Sequence, residues 1–349
     1  MPGAPFGEAR GADVELTISV IVPVYNGAAT LPLCLAPLLR MLRAGEIVEV
    51  VVVDDGSTDA SADIAARLGA RVIESGGRLG PGGARNAAAR TAAGDLLWFV
   101  DADVVVHDDA ARVLVDAFRA TSAAAVFGAY DDLPAAANFL SQYKNLVHHH
   151  YHSEGGGASE TFWAGCGAVR KAAFLEAGGF DAVRYPSPSI EDIELGWRLR
   201  RRGLSIWLTP ALRGTHLKAW HLPNLLRAEI FGRALPWSRL AHARGGAPTT
   251  LNFSLRERLR AALAVVLFAS LALALSWLVS WWLPVALLVA ALLANRRLLA
   301  LFHRRRGPSF ALGGVLFHQI YYLYSSAAFA WTWLEWWCWR RFGRENRAL

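Results

Sequence analysis

The sequence is poor in cysteine, because only Cys34, Cys166 and Cys338 occur in 349 residues, far apart and without metal-ligand spacing. This scarcity argues against both a disulfide framework and a zinc site, and it suits a reducing compartment. The first fifteen residues lack an apolar run, so they do not have the core of a cleaved signal peptide. We expect residues 1–15 to be a disordered tail.

Acidic residues are also scarce in the last hundred positions, whereas they are frequent in the first two hundred. Hydrophobic residues make up 54% of the chain, and 14 tryptophans are present, which is too apolar for an ordinary soluble domain. The formal charge is +7, but the arginines lie beside apolar segments and not along one basic face. This pattern favours anionic lipid over nucleic acid as a partner, and it predicts a soluble head followed by a membrane tail.

Short β-branched runs alternate with alanine-rich stretches from Leu16 onward. This alternation predicts an α/β fold with a mostly parallel sheet flanked by helices. The predicted strands are Leu16–Pro23, Glu49–Val53, Arg71–Glu74 and Leu96–Val100, and the predicted helices are Thr30–Leu42, Asp59–Leu68, Gly83–Ala92 and Asp108–Ala120.

Polar signatures follow three of the predicted strands, at 23–27, 54–59 and 101–103. In parallel α/β sheets, ligands bind beyond the carboxyl ends of the strands. A single acid in such a place is as often a helix cap, but three signatures at one edge predict a site. Asp101 and Asp103 provide hard oxygen ligands that suit Mg²⁺ or Mn²⁺, and such an ion would neutralise a diphosphate leaving group.

The C-terminal apolar segment 261–295 has no Asp, Glu, Lys or Arg. As one helix it would be about 50 Å long, against about 30 Å for a hydrocarbon core, so we expect it to fold back near 280–284. Arginines flank both ends, which predicts that both ends are cytoplasmic; one long tilted or buried helix is the alternative.

A third apolar stretch, 308–335, ends in a cluster of arginines and carries many tyrosines and tryptophans. Spanning the membrane and lying in its interface both remain open for this stretch. Residues 222–244 have the composition of a helix on an anionic surface, with an ordinary linker as the alternative. The predicted divisions are a tail at 1–15, a catalytic domain at 16–220, interfacial linker helices at 221–258, membrane-embedded helices at 259–340 (261–281, 283–302 and 308–335) and a tail at 341–349.

Taken in order, the motifs at 21–26, 53–59, 84–86, 101–103 and 191–192 resemble those of the family 2 glycosyltransferases, which have the GT-A fold. The resemblance covers about 16–220. It implies an inverting transfer of sugar from a UDP- or GDP-linked donor, with a divalent cation as cofactor. With the apolar tail, it implies an integral protein of the cytoplasmic membrane whose catalytic domain faces the cytoplasm and whose acceptor is a lipid or lipid-linked hydroxyl.

The resemblance also implies roles for individual residues, the central one being that Asp192, beside Glu191, takes the proton from the acceptor. Without the family resemblance, Asp192 and Glu191 would be interpreted as ordinary acids in the first turn of a helix. Arg85 would be interpreted as a solvated charge, and His216 as a structural histidine. The implied nucleotide-sugar site comprises Pro23, Tyr25, Asn26, Asp54, Asp55, Arg85, Asn86 and Asp101; the implied metal ligands are Asp101, Asp103 and His216; and the implied acceptor side comprises Gly165, Cys166 and Gly167.

Other functions fit the sequence less well. A dinucleotide-dependent oxidoreductase lacks its glycine fingerprint after the first strand, and a nucleotidyltransferase has no use for a hydrophobic hairpin. A membrane scaffold without activity would not need the strand-end acids. Among acceptors, a polyprenyl phosphate is the alternative to a hydroxyl, but an ionised phosphate hardly needs Asp192 as a base. The Gln-x-x-Arg-Trp motif of processive polymerising enzymes is absent, which disfavours polymer extrusion.

Overall fold

The computed structural model describes residues 16–244 and 254–342. The predicted tail at 1–15, part of the predicted linker at 245–253 and the C-terminal positions 343–349 lie outside the described residues. The N-terminal half is an α/β domain with helices on both faces of one sheet. Its strands are β1 Ile18–Val24, β2 Glu49–Asp54, β3 Arg71–Glu74, β4 Leu96–Val100, β5 Val104–Val106, β6 Ala125–Tyr130, β7 Gly157–Ser159, β8 Cys166–Arg170 and β9 Ile206–His216.

In the described part of the chain the strands form one sheet in the order β3-β2-β1-β4-β8-β6-β9-β5, and β7 pairs with β9. The first four strands of this order are parallel, as predicted. From β8 onward the sheet is mixed, because β8 is antiparallel to both β4 and β6, and β5 and β7 are antiparallel to β9. The prediction of a mostly parallel sheet is therefore wrong for this half.

Helices cover both faces of the sheet, and successive side chains along its central strands point to opposite faces. Val20 and Trp98 face one hydrophobic cluster, whereas Ile21 and Phe99 face the other. The helices of this domain are α1 Leu31–Arg43, α2 Ser61–Leu68, α3 Gly80–Thr91, α4 Ala110–Ala120, α5 Phe139–Glu154, α6 Lys171–Glu176 and α7 Glu191–Arg201.

The C-terminal part is helical. A continuous helical segment comes first, and its middle third, Ala228–Ala234, is a π-helix. The elements are α8 Leu222–Arg227, the π-helix, α9 Leu235–Ala243, α10 Leu255–Leu275, α11 Trp282–Ala294 and α12 Arg296–Phe342. Helix α12 has a kink at Gly307, where φ is 83°, immediately before Pro308.

Helices α10 and α11 form a hairpin whose two ends meet at Tyr322. The Tyr322 hydroxyl lies 2.6 Å from the Glu257 carboxylate near the start of α10 and 3.2 Å from Oδ1 of Asn295 after α11. The chain therefore folds back, and its turn lies between Leu275 and Trp282, slightly before the predicted position. The hairpin tip carries apolar side chains without cover: Trp277 is 86% and Trp282 80% exposed.

Helix α12 lies against the rest of the protein at both of its ends. Near its start, Arg305 pairs with Asp132 after β6. Near its end, Glu335 pairs with Arg239 of α9 at 3.0 Å. Between these contacts Tyr324 of α12 lies 3.5 Å from Glu229 of the π-helix, so α12 runs along the head and linker and does not lead away from them.

Helix α10 is long and apolar enough to cross a membrane. Helices α11 and α12 meet the same criterion of length and composition when they are taken together as one pair, bent by 72°. The helices predicted at 261–281 and 283–302 have other bounds in the structure, where α10 starts at Leu255 and α11 ends at Ala294.

Candidate active site

A cleft of about 1660 Å³ opens beyond the carboxyl ends of β1 and β4 and continues to α10 and α12. Most of the residues singled out in the sequence line it, although they come from seven separate segments of the chain. They are Pro23, Tyr25, Asn26, Asp55, Arg85, Asp101, Asp103, Gly165, Glu191, Asp192 and His216.

Pairing of β5 with β9 brings Asp103 and His216 together. Val104 lies opposite His216 in the antiparallel register, and the Leu217 N–H donates to the Asp103 carbonyl at 2.8 Å. The Nε2 atom of His216 then lies 3.6 Å from a carboxylate oxygen of Asp103. Burial alone would raise the pKa of Asp103, but the neighbouring His216, and next Lys218, hold it below its ordinary value. Tyr130 stacks on the imidazole at 4.3 Å and fixes its plane.

This pair fits a divalent cation that the substrate helps to bind. Within 16–244 and 254–342, no group of three or more His, Cys, Asp or Glu side chains forms a closed metal cage. Mg²⁺ and similar hard cations commonly use one or two carboxylates and take their remaining ligands from water and substrate phosphates. An open pair such as Asp103 and His216, at the mouth of a large cleft, matches that donor set.

Arg85 bridges two of the predicted site acids. Its Nη2 atom lies 2.5 Å from Asp101, and its Nη1 atom lies 3.3 Å from Glu191. Burial would lower the pKa of this guanidinium, yet the two carboxylates raise it above its ordinary value. Arg85 is only 4% exposed, yet it lines the cleft, so it orders these acids at the cleft wall, and its contact with a diphosphate stays a prediction. Asp101 pairs with Arg85 and also lies close enough to Asp103 for the two carboxylates to repel each other.

Asp192 stands in the first turn of α7, where its Oδ2 atom accepts the Ala164 N–H at 3.0 Å. Burial, and next the negative charge of Glu191, raise its pKa to about 7, against the opposing effects of Ala164 and Arg85. A carboxyl group with such a pKa can accept a proton near neutral pH.

At the other end of the cleft, Asp55 shapes the turn before α3. Its carboxylate accepts the N–H groups of Leu79 and Gly80, each at 2.9 Å. Gly80 has φ of +75°, and a Cβ there would overlap the Pro186 carbonyl, so the turn needs glycine. Close by, the Arg78 guanidinium lies 3.9 Å from the centroid of the Tyr25 ring, which is 40% exposed.

Two residues predicted for the nucleotide site do not line the cleft. The Asn86 side chain donates to the Phe180 carbonyl and accepts its N–H, both at 2.8 Å, so it holds the loop before α7. Asp54 accepts the Ser57 N–H at 3.2 Å and thereby closes the turn after β2. Both side chains shape the backbone of the site and do not contact its interior.

Two residues predicted for the acceptor side also do not line the cleft. Cys166 is fully buried in β8, and burial raises the pKa of its thiol to about 12, which makes it a poor nucleophile. At Gly167 a Cβ would overlap the Trp163 carbonyl. Gly165 alone of the three lines the cleft, where a Cβ would come 2.5 Å from the Trp163 ring.

Further cleft residues were not identified as site residues from the sequence. Trp163 lies two residues before the predicted acceptor-side residue Gly165, but the sequence predicts no role for its ring. The others lie before α3, in β6 and α5, after β9 and in the π-helix, and each stands outside the motifs that the sequence resemblance uses. These unassigned lining residues include Arg78, Tyr130, Lys144, Trp163, Lys218, Glu229 and Arg233.

The head has the GT-A type of α/β fold, a mixed sheet flanked by helices. The solved structure of mannosyltransferase PcManGT from Pyrobaculum calidifontis, in complex with GDP-Man and Mn²⁺, shares this fold with a TM-score of 0.56 at 20% identity. The similarity covers 93% of this chain and 91% of that one. Residues 19–179 match the family model for glycosyl transferase family 2.

Two curated relatives differ in how far they extend along this chain. Poly(ribitol-phosphate) beta-glucosyltransferase of Bacillus spizizenii is 35% identical over 104 residues, which are 27% of this chain and 16% of that protein. Succinoglycan biosynthesis protein ExoA of Rhizobium meliloti is 28% identical over 324 residues, which are 86% of this chain and 91% of that protein. The chain thus spans much less than two thirds of the Bacillus protein, whereas its similarity to ExoA includes the C-terminal helices.

Proposed function

We propose that this protein is an inverting glycosyltransferase that moves a sugar from a UDP- or GDP-linked donor to a hydroxyl of a membrane-associated lipid or lipid-linked acceptor. The observation that carries the proposal is that Asp192, with its pKa near 7, lines the same cleft as the Asp103–His216 pair. A proton acceptor and a cation site in one cleft are what a single displacement on a nucleoside diphosphate sugar requires. The match of 19–179 to the family 2 model supports the same reaction class.

In this mechanism the chain has two tasks. Asp103 and His216 would hold Mg²⁺ or Mn²⁺, which would supply positive charge to neutralise the nucleoside diphosphate leaving group. Asp192 takes the proton from the acceptor hydroxyl as that oxygen attacks the anomeric carbon from the opposite side. The attack inverts the configuration in one step, so no nucleophilic side chain is needed.

Arg85 acts as a positioning residue in this proposal. By pairing with Glu191 it holds the acid that adjoins Asp192, and by pairing with Asp101 it fixes the end of β4. At the nucleotide end, Tyr25 and Arg78 present a flat, positively charged surface suited to a base and a phosphate.

The helical tail supports attachment to the cytoplasmic face of the membrane. Arginines flank both ends of the α10–α11 hairpin, and its tip is apolar and exposed. The hairpin legs of 21 and 13 residues extend about 32 and 20 Å. Because α12 contacts the head along its length, we assign it to the membrane surface, with the head resting above it.

A hydroxyl acceptor is favoured over a polyprenyl phosphate by Asp192 itself. A phosphate is already ionised and would be repelled by a carboxylate at the point of attack. The similarity to ExoA over most of both chains supports an acceptor that belongs to a glycan under construction.

The proposal is tested by incubating the purified full-length protein in detergent with a panel of UDP- and GDP-sugars and Mn²⁺. We expect release of the nucleoside diphosphate from one donor, loss of that release with EDTA, and loss in Asp103→Ala. Asp116→Ala removes an exposed acid on α4 and serves as the matched control. Release of inorganic pyrophosphate would indicate nucleotidyl transfer, and no turnover of any donor with the full panel would contradict the proposal.

A further inference from the structure

A buried carboxylate in the cleft is shared by two cations from different elements. The Lys144 ammonium of α5 lies 2.8 Å from Oε1 of Glu229 in the π-helix. Arg233, one turn further along the π-helix, pairs with the same oxygen. Glu229 is only 5% exposed, and all three residues line the cleft.

Lys144 and Arg233 bring two cationic groups to the single carboxylate of Glu229, although burial lowers the pKa of Lys144. Burial would raise the pKa of Glu229, but Lys144 and Arg233 lower it to about 2, which keeps the carboxylate charged and the three groups fixed as a unit. Lys218, whose ammonium lies 4.5 Å from the Trp220 ring centroid, adds another cation to the lining. An anion that leaves water to enter this part of the cleft can therefore accept hydrogen bonds from cationic groups that are already held in place.

The backbone that carries this cluster is itself unusual. The segment Ala228–Ala234 is π-helical between two α-helices that continue it on either side. Such segments are rare and occur most often at functional sites, where they redirect side chains at the expense of regular helix bonding. Here the segment presents Glu229 and Arg233 toward α5 and the cleft.

The position of the cluster indicates which anion it would meet. Arg233 is near enough to Asp192 for their charges to interact, so the cluster lies within reach of the base. Glu229 also reaches Tyr324 of α12 at 3.5 Å. From there the lining continues along α10 and α12, where apolar side chains such as Ala261 and Phe329 alternate with polar ones such as Ser325.

We propose that Lys144 and Arg233 form a subsite for the phosphate or diphosphate group that joins an acceptor sugar to its lipid. The sugar hydroxyl would then face Asp192, and the lipid chain would leave the cleft between α10 and α12. This inference rests on the proposed function, because it names the linking group of the acceptor. It separates the reacting hydroxyl from the phosphate, which explains how one cleft can contain both a base and a cationic cluster.

The test is a binding titration that needs no sugar transfer. Purified full-length protein in detergent is titrated with farnesyl diphosphate, farnesol and inorganic pyrophosphate, while tryptophan fluorescence is recorded in EDTA so that no cation draws diphosphate to Asp103. We expect farnesyl diphosphate to bind at least about tenfold more tightly than farnesol, and Arg233→Gln to remove about tenfold of that affinity. Arg233→Lys should restore part of it.

The control is Arg227→Gln, which removes the same charge from the same helical segment at an exposed residue outside the cleft lining. Equal binding of farnesol and farnesyl diphosphate, or equal losses in Arg227→Gln and Arg233→Gln, would overturn the subsite. Pyrophosphate binding that equals that of farnesyl diphosphate and depends equally on Arg233 would keep the anion site but assign it to a free phosphate. Donor turnover is measured separately on the same variants, so a failed transferase assay beside intact farnesyl diphosphate binding would contradict the proposed function alone.

Discussion

At the scale of single residues, the proposed chemistry depends most on Asp192. Its carboxylate is held by the Ala164 N–H, which an asparagine at the same position can still accept through its side-chain oxygen. Asp192→Asn should therefore keep the fold and donor binding while lowering kcat by at least about 100-fold, because an amide cannot take a proton. Steady-state kinetics with Asp181→Asn as control check this, and a kcat within a factor of a few of wild type would contradict the role.

The raised pKa of Asp192 predicts the direction of the pH dependence. The base must be deprotonated, so kcat should fall as pH decreases through about 7. Glu191→Gln removes the like charge that raises this pKa and frees Arg85 to act on Asp192, so both effects shift the acid limb of the profile to lower pH. A pH–kcat profile in which the limb stays in place or moves upward would rule out this coupling.

At the scale of elements, the cation site depends on the β5–β9 pairing. Gly214 leaves room for β5, since a Cβ there would lie 2.6 Å from Cγ1 of Val104. Gly214→Ala should push the strands apart and weaken Mn²⁺ binding about tenfold, in the range found when residues that support metal ligands are changed. Ala211→Val enlarges an exposed position of the same strand and serves as control. Equal Mn²⁺ affinities of the two variants, measured by titration with electron paramagnetic resonance, would contradict the prediction.

The sequence predicts the first half of the sheet better than the second. The strands β1 to β4 are apolar runs with clear boundaries, so their positions are found within two residues. The short strands β5, β7 and β8 have no such signal, and their direction depends on partners far along the chain. For the same reason the closeness of Asp103 to His216 was expected only from the family resemblance, and the bridging position of Arg85 was missed.

At the scale of the whole molecule, Cys338 offers a test of membrane topology. It is exposed near the end of α12, whereas Cys34 and Cys166 are buried. Because α12 stays beside the head, an impermeant maleimide should label Cys338 in inside-out vesicles but not in intact cells. Cys338→Ser provides the background. Labelling from outside intact cells would mean that α12 crosses the membrane.

Composition alone predicts a head and a lipid-facing tail, since charge is absent from 261–295. Composition does not decide whether 308–335 crosses the membrane or lies on its surface, because apolar and aromatic residues suit both a transmembrane helix and a surface helix. That depends on contacts made by residues elsewhere, such as Asp132 and Arg239, which no local pattern reveals.

The proposed function requires that Asp103 and His216, which come from separate segments, hold one cation in the cleft that Asp192 lines. Its most direct test is an anomalous difference map from crystals of the full-length protein grown with Mn²⁺ and UDP or GDP. The account predicts one strong peak within coordination distance of Asp103 and His216, in the cleft that Asp192 lines. A peak elsewhere with these two side chains unliganded, or a nucleotide bound outside the cleft, would contradict it.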